Sequence, residues 1–366
     1  MPTNIRMYNC AFGDCFRISH VDDAEVSHLY VDFGIHRSCP NQHNWKQARY
    51  GEIIGDMPEN SDFLLTHYHY DHYSGLLYMI RHSTYRFNNI YIPDIWNRDK
   101  SIDVIKLFLW KDVLTPTVLA DGLSLIRFLL SICHASGKIY FISRGDPIQA
   151  QYVALWPTAQ KVQRAADKVL RNIGGHHMIP EALEQIAEQL REIMLNISET
   201  NSNLEREQYL GTLTQMEDRL VEIAGEIEPD AANRRRLGEF AHSINIIFQN
   251  SNPEDRHILF TGDAEKSSRM WKFIEENTDH AVPFYEQYEV IKIPHHGTGP
   301  HYHDFSTISN ENTTYLIPNG LIPEWPVDRQ YSDNANIQNC AVYCSGKDAC
   351  QAAAPRCNCT RGHIIP

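Results

Sequence analysis

The chain has 366 residues, a net charge of −13 at pH 7, and 42% hydrophobic against 22% charged residues. This composition is typical of a soluble globular protein, and the length predicts one large domain with an insertion or appendage. The negative charge argues against a broad basic groove for long duplex nucleic acid, but it is compatible with a small phosphorylated substrate.

No segment of the sequence predicts export or insertion into a membrane. Residues 1–20 lack the apolar stretch of a signal peptide, and the longest apolar run, residues 123–133, is interrupted by Arg127. We therefore expect a cytoplasmic protein that has no membrane partner and whose cysteines are in a reducing compartment.

Short apolar runs separated by turns predict several strands in residues 1–157. These strands cover residues 5–8, 16–19, 29–32, 63–66, 90–92, 139–142 and 152–155. Residues 75–81 predict a helix, and the long apolar runs of residues 101–133 predict one or two buried helices. Residues 1–157 are therefore predicted to form the first half of an α+β domain.

The segment THYHYDH, residues 66–72, directly follows one of the predicted strands. Because His67 and His69 are two residues apart, an extended backbone would point both side chains the same way. Asp71 and His72 would then lie on the turn beyond the strand. Neutral imidazole and carboxylate are ligands that zinc, manganese and iron accept, so the segment predicts a site for two metal ions.

Residues 158–235 have a different composition, rich in residues that favour helices. Apolar residues recur at steps of three and four in two stripes, first Leu183, Ile186, Leu190 and Ile193, then Leu213, Met216, Leu220 and Ile223. A polar turn at residues 196–203 separates the stripes, which predicts an inserted α-helical hairpin. The hairpin could cap the core, restrict the mouth of the active site, or bind a second copy of the chain or another protein.

Residues 236–331 return to the pattern of the first half and are predicted to complete the same domain. Strands are predicted at residues 244–248, 258–261, 290–293 and 314–317, and a helix at residues 264–276.

Residues 332–366 form a Cys-rich C-terminal tail, in which five cysteines precede His363. These are Cys340, Cys344, Cys350, Cys357 and Cys359. In a reducing compartment such a cluster predicts an extra structural zinc site, with a plain or disulfide-linked tail as the alternative.

The motifs of the chain resemble those of the metallo-β-lactamase superfamily and occur in the same order. They are GD at residues 13–14, LYVDFG at 29–34, HxHxDH at 67–72, HILFTGDA at 257–264 and VIKIPHHGTG at 290–299. The chain looks most like the branch that contains the soluble hydrolase domain of the competence protein ComEC. This resemblance implies a four-layer αβ/βα sandwich, here with an inserted helical hairpin, and a metal site at one edge.

The resemblance also implies the ligands of two divalent metal ions, expected to be zinc, with manganese or iron as alternatives. His67, His69 and His242 would hold the first ion. Asp71, His72 and His296 would hold the second, and Asp263 would bridge both. The role of His242 stays open, because a histidine at the start of a strand also fits the pattern.

Several further residues are predicted to assist the chemistry. Of the doublet His295-His296, we expect His296 to bind metal and His295 to contact a phosphate or leaving group, with the reverse assignment open. Asp71 and His295 are the expected catalytic residues. Asp32 would orient a ligand histidine, or simply form a turn before Gly34. The substrate would be contacted by residues that follow the last metal loop, namely His301, His303 and Asn319.

The function implied is a metal-dependent phosphodiesterase that uses a metal-bridging hydroxide. Its substrate would be a nucleotide, an oligonucleotide or a phosphorylated small molecule. One alternative is an ester, lactone or thioester hydrolase with the same metals. Another is a non-catalytic scaffold that acts through the helical hairpin.

Overall fold

The computed structural model describes most of the chain in a series of ranges. They are residues 3–22, 25–39, 44–97, 101–115, 124–134, 137–175, 179–199, 203–228, 230–266, 268–278, 282–320, 324–338, 340–345 and 363–365.

Two seven-stranded sheets form the centre of the protein. The first sheet has the order β14-β1-β2-β3-β4-β5-β6. Its strands are β1 (Thr3–Met7), β2 (Phe16–Asp22), β3 (Glu25–Val31), β4 (Asp62–Leu64), β5 (Asn89–Pro93), β6 (Lys138–Ile142) and β14 (His363–Ile365). The second sheet has the order β13-β12-β11-β10-β9-β8-β7. Its strands are β7 (Pro147–Ile148), β8 (Tyr152–Trp156), β9 (Ile247–Asn250), β10 (Ile258–Phe260), β11 (Val290–Lys292), β12 (Thr314–Ile317) and β13 (Ala341–Cys344).

Both sheets follow the same pairing scheme. From β14 to β3 and from β7 to β10 the neighbouring strands are antiparallel. From β3 to β6 and from β10 to β13 they are parallel. The carboxyl ends of parallel strands meet at one edge of a sheet, which is where α/β proteins usually place their ligands.

Ten helices surround the sheets within the described ranges. They are α1 (Trp45–Gly55), α2 (Tyr70–His82), α3 (Ser101–Val113), α4 (Leu125–His134), α5 (Ala159–Asn172), α6 (Ala182–Glu199), α7 (Asn203–Glu226), α8 (Ala231–Ser243), α9 (Ser268–Glu276) and α10 (Arg329–Gln338). The prediction of a protein that mixes α and β structure is therefore confirmed.

Apolar side chains fill three clusters that separate the layers. One cluster lies between the two sheets and contains side chains from both. In it Phe16 and Phe260 make an edge-to-face contact, with ring centroids 5.3 Å apart. A second cluster lies between the first sheet and helices α1 to α8. The third includes Trp271 of α9 and Tyr331 of α10, which cover the outer face of the second sheet.

The predicted hairpin corresponds to α6 and α7, and all eight residues of its two apolar stripes are buried. Helix α6 packs against α3, and α7 packs against α4, besides the contact of α6 with α7. The stripes are therefore covered by helices of the same chain. Helix α8 runs across the predicted boundary at residue 235, and β9 begins at Ile247, three residues later than the strand predicted at residues 244–248. His242 therefore lies in a helix, and the alternative that it stands at the start of a strand does not hold.

The C-terminal segment is partly built into the sheets. The predicted boundary at residue 331 falls inside α10, and β13 and β14 each extend one sheet. Cys340, just before β13, and Cys344, the last residue of β13, are both buried. Because the other tail cysteines, Cys350, Cys357 and Cys359, lie outside the described residues, the tail zinc site stays a prediction. None of the helices in the described ranges combines the length and apolar composition that a bilayer span requires.

Candidate metal centre

The predicted ligands meet where loops leave the carboxyl ends of β4, β10 and β11. The HxHxDH segment follows β4 and leads into α2, which begins at Tyr70. Asp71 and His72 therefore lie in the first turn of a helix, not on a turn beyond a strand as the sequence suggested. An acidic residue in this position is stabilised by the positive end of the helix dipole.

Three histidines form the first group of potential ligands. His67, His69 and His242 each place a nitrogen within 4.8 Å of the others. His69 Nε2 lies 3.0 Å from the carbonyl oxygen of Gly238 in α8. The other ring nitrogen of His69, Nδ1, is therefore the one available to a metal. Nε2 of His67 and Nε2 of His242 are buried without a hydrogen-bond partner among the described residues.

Asp71, His72, Asp263 and His296 form the second group. One carboxylate oxygen, Oδ2 of Asp263, lies 3.2 Å from His72 Nε2 and 3.5 Å from His296 Nε2. Oδ2 of Asp71 lies 3.3 Å from His296 Nε2. Nε2 of His67 in the first group is also 4.0 Å from Asp263 Oδ2, so this oxygen lies between the two groups.

Burial sets the ionisation of the first group. It lowers the pKa values of His67, His69 and His242 well below the usual range, so the three rings are neutral at pH 7. A neutral imidazole has the free lone pair that a metal needs.

The carboxylates of the second group are ionised. Burial alone would raise the pKa of Asp263, but the charges of His296 and His72, with a smaller effect of Lys292, lower it well below its usual range. The pKa of Asp71 is likewise lowered against the effect of burial, chiefly by its hydrogen bond with His296. For His296, burial is outweighed by Asp263 and Asp14, which raise the pKa to about 9.

Asp32 fixes the orientation of His72, as the sequence suggested. Its Oδ2 lies 2.8 Å from His72 Nδ1 and accepts a hydrogen bond of 2.7 Å from Thr66 Oγ1. Its Oδ1 accepts a second bond from Thr66 N at 2.7 Å. A carboxylate partner at Nδ1 directs Nε2 toward Asp263 and increases the basicity of the ring.

The sequence analysis assigned no role to Asp14 and Lys292, which complete the buried charge network. Lys292 Nζ lies 2.5 Å from Asp14 Oδ2, and Asp14 Oδ1 lies 3.1 Å from His296 Nδ1. Lys292 also donates a hydrogen bond of 2.6 Å to the carbonyl oxygen of Gly262. The sequence contained both residues within motifs, Asp14 in the GD pair at residues 13–14 and Lys292 in VIKIPHHG. It gave no indication that the two side chains form an ion pair.

The HHG segment is a strained turn. His295 and His296 have φ values of 47° and 56°, a left-handed region that non-glycine residues rarely adopt, and Gly297 follows at 75°. The turn points His296 into the second group of ligands. His295 instead stacks on His301, with ring centroids 3.7 Å apart, and its Nε2 lies 3.9 Å from Asp263 Oδ2.

Two of the three residues predicted to contact the substrate do not line the cavity that opens onto the ligands. His303 stacks on Trp271 at 4.3 Å, away from the metal groups, because the loop turns it toward α9. Asn319 is buried behind the HHG turn, where its Nδ2 donates to the carbonyl oxygens of His296 and Trp325 at 2.8 and 3.2 Å. Asn319 therefore supports the turn, and only His301 of the three lines the cavity described next.

A cavity of about 800 Å³ opens onto the ligands, within the range of small-molecule sites. It is lined by His69, Asp71, His242, Asp263, His295 and His301, among others. Next to His296 lies a wall of three rings. Phe12 is 4.1 Å from the His296 ring, and Phe12 and His36 are 4.9 and 4.8 Å from Trp325.

Comparison of the chain with models of known protein families and with curated proteins gives no match. The site is therefore judged on its own chemistry. Imidazole nitrogens and carboxylate oxygens are the donor set of zinc and related divalent ions, and Nε2 of His67 and Nε2 of His242 are buried without a hydrogen-bond partner among the described residues. This buried cluster of histidine and aspartate can hold a metal ion.

Proposed function

We propose that the chain is a metal-dependent phosphodiesterase with a metallo-β-lactamase fold and two divalent ions. The observation that carries the proposal is the position of Asp263 Oδ2 between two ligand groups, with Nε2 atoms of His67, His72 and His296 within 4.0 Å. A carboxylate in that position is suited to bridge two ions. The two face-to-face sheets with helices on their outer faces support the assignment of an αβ/βα sandwich.

In this proposal the chain's residues have distinct tasks. His67, His69 and His242 would hold one ion, Asp71, His72 and His296 the other, and Asp263 both. Zinc suits these ligands first, with manganese or iron as alternatives. When bound, two such ions would supply a nucleophile at neutral pH and would offset the charge that develops on a phosphoryl oxygen.

His295 is the group of the chain best placed to act on the leaving group. Its side chain is 21% exposed, lines the cavity, and is held by Thr298 Oγ1 at 2.9 Å from Nδ1. Because burial lowers its pKa to about 4, the ring is neutral at pH 7. It would therefore bind the departing oxygen as a hydrogen-bond partner that Thr298 and His301 keep in place.

The cavity indicates the size and character of the substrate. A volume of about 800 Å³ suits a small ligand better than a duplex, and a net charge of −13 also disfavours long nucleic acid. The ring wall of Phe12, His36 and Trp325 offers a face on which a nucleobase could stack. A nucleotide ester or a short oligonucleotide is the substrate that these features favour.

The proposal is tested by metal content together with hydrolysis of bis-p-nitrophenyl phosphate. We expect about two ions per chain in the wild type, and loss of both an ion and turnover in His69→Ala. His82→Ala, which removes an exposed histidine from the end of α2, the helix that directly follows His69, is the matched control and should keep both.

The other outcomes separate the alternatives. Metal without phosphodiester turnover, but with hydrolysis of p-nitrophenyl acetate or a lactone, would replace the proposal by a carboxyl-ester hydrolase. A chain with neither metal nor turnover would instead be a scaffold.

A further inference from the structure

Four positively charged side chains line the cavity, namely Arg37, Lys111, Arg234 and Arg329. Arg234 and Arg329 are exposed, whereas Arg37 and Lys111 are partly buried. Arg37 lies in the loop after β3, and Lys111 lies in the last turn of α3. Both line the same cavity as His69 and Asp71.

Neither charge is neutralised by a close partner. In the described ranges, no carboxylate forms an ion pair with Arg37 or Lys111. Nη2 of Arg37 is buried and has no hydrogen-bond partner there. Burial lowers the pKa of Lys111, as expected for an ammonium whose charge is only partly offset by Asp112 and Asp71. A buried donor without an acceptor is uncommon in folded proteins, so Nη2 of Arg37 points to a ligand that supplies the acceptor.

The surroundings hold the two cations in place. The Arg37 guanidinium lies over the ring of Tyr70, 4.4 Å from its centroid, and such stacking fixes the plane of its donors. The nearest carboxyl in sequence, Asp112, accepts a short hydrogen bond from the backbone N–H of Leu125 at the start of α4. Its side chain is therefore used to cap a helix and does not neutralise Lys111 by direct contact.

We propose that Arg37 and Lys111 form a second anion-binding subsite, which binds a phosphate monoester group of the substrate while the phosphodiester lies at the metal centre. The inference rests on the phosphodiesterase function and makes its substrate class more specific. Two positive charges match the dianion of a terminal phosphate better than the single charge of a carboxylate. The guanidinium fork can bind two phosphate oxygens and the ammonium a third.

A pair of chromogenic esters tests the subsite. The p-nitrophenyl ester of thymidine 5′-phosphate has only the phosphodiester, whereas the same ester with an added 3′-phosphate also has a monoester. We expect the wild type to favour the second ester by roughly 10- to 100-fold in kcat/KM, the usual range for charged hydrogen bonds. Arg37→Gln and Lys111→Gln should each remove most of this preference and leave hydrolysis of the first ester nearly unchanged.

Two further variants serve as controls. Arg329 also lines the cavity, but its side chain is 89% exposed and lies 3.6 Å from Asp333, so Arg329→Gln should keep the preference. Arg37→Lys retains the positive charge but loses the guanidinium group, and it should keep part of the preference for the ester with the 3′-phosphate. Equal kcat/KM for the two esters in the wild type, or a preference unchanged in both Gln variants, would overturn the subsite.

A binding measurement separates this proposal from the proposed reaction. Calorimetry on the zinc-loaded protein compares thymidine 3′,5′-bisphosphate with thymidine 5′-phosphate. We expect tighter binding of the bisphosphate in the wild type and equal binding in Arg37→Gln. If neither ester is hydrolysed, the phosphodiesterase assignment fails, and these affinities alone decide the subsite. Equal affinities in the wild type would then reject it as well.

Discussion

Lys292 holds one carboxylate oxygen of Asp263 and leaves the other to the histidines. Its Nζ lies 3.4 Å from Oδ1, whereas the nitrogens of His67, His72 and His296 lie around Oδ2. Both side chains are almost completely buried. Lys292 would therefore select which oxygen of Asp263 faces a metal, and its charge offsets those of Asp263 and Asp14.

Lys292→Met should destabilise the metal-free protein strongly. Removing the ammonium leaves Asp14 and Asp263 buried without their common cation, which costs about 3–5 kcal/mol in the free energy of unfolding. Urea unfolding of the metal-free protein measures this loss, and added zinc should reduce it. Lys272→Met removes an exposed partner of Glu276 and should change stability by less than about 0.5 kcal/mol. Similar losses in the two variants would contradict the role given to Lys292.

Asp263→Ala should lower the metal content and abolish phosphodiester hydrolysis, because the oxygen shared by the two ligand groups is lost. Elemental analysis and turnover of bis-p-nitrophenyl phosphate measure the two effects. Glu324→Gln removes an exposed carboxylate that lines the same cavity, and it should leave metal content unchanged. Two ions retained in Asp263→Ala would mean that Asp263 is not a bridging ligand.

Gly34→Ala should disturb the metal centre through the backbone. A Cβ at residue 34 would lie 2.3 Å from the carbonyl group of Asp71, so the start of α2 would have to move. We expect a loss of about 1–3 kcal/mol in stability and weaker zinc binding, measured by unfolding and by competition with a chelator. Gly51 in α1 has no atom within 4 Å of such a Cβ, and Gly51→Ala should stabilise the protein by up to about 1 kcal/mol. Unchanged zinc affinity in Gly34→Ala would count against this close approach.

Asp112 predicts a dependence of stability on pH. Burial raises its pKa to about 7, above the value of about 4 in an unfolded chain, so the folded protein binds the extra proton between these values. Stability relative to Asp112→Asn should therefore fall as the pH rises from 4 to 7, by up to roughly 1.4 kcal/mol per pH unit. Urea unfolding of both proteins at pH 5, 6 and 7 measures the difference. A difference that does not change with pH would show that Asp112 ionises normally.

The local motifs of the sequence indicated most of the residues that the structure groups together as potential ligands. His67, His69, Asp71 and His72 lie within six positions, and Asp263 and His296 directly follow short apolar strands, so a pattern of neighbouring residues was sufficient. The structure brings all of them together with His242.

The surroundings of the ligands were not predictable in the same way. Asp14 lies in the loop between β1 and β2 of the first sheet, whereas Lys292 lies in β11 of the second. Arg37 and Lys111 come from a loop and a helix that share no motif. Such contacts depend on how distant segments pack, which local periodicity does not record. The position of His303 outside the cavity was not predicted for a related reason. The direction of a side chain in an irregular loop depends on neighbours such as Trp271.

Secondary-structure boundaries near the site were also uncertain from sequence. The apolar residues from Ile244 onward suggested a strand there, but α8 continues to Ser243 and β9 starts at Ile247. Strand β7 has only two residues, too few for an alternating pattern to be recognised.

The two ligand groups draw on both sheets. His67, Asp71 and His72 follow β4 of the first sheet, whereas Asp263 and His296 follow β10 and β11 of the second. An ion shared by these residues would act as a cross-link, and its binding free energy would add to the energy that holds the two halves together. The free energy with which the two sheets associate would then depend on the concentration of metal around the protein. A chelator would lower the stability of the fold as well as the rate of the reaction.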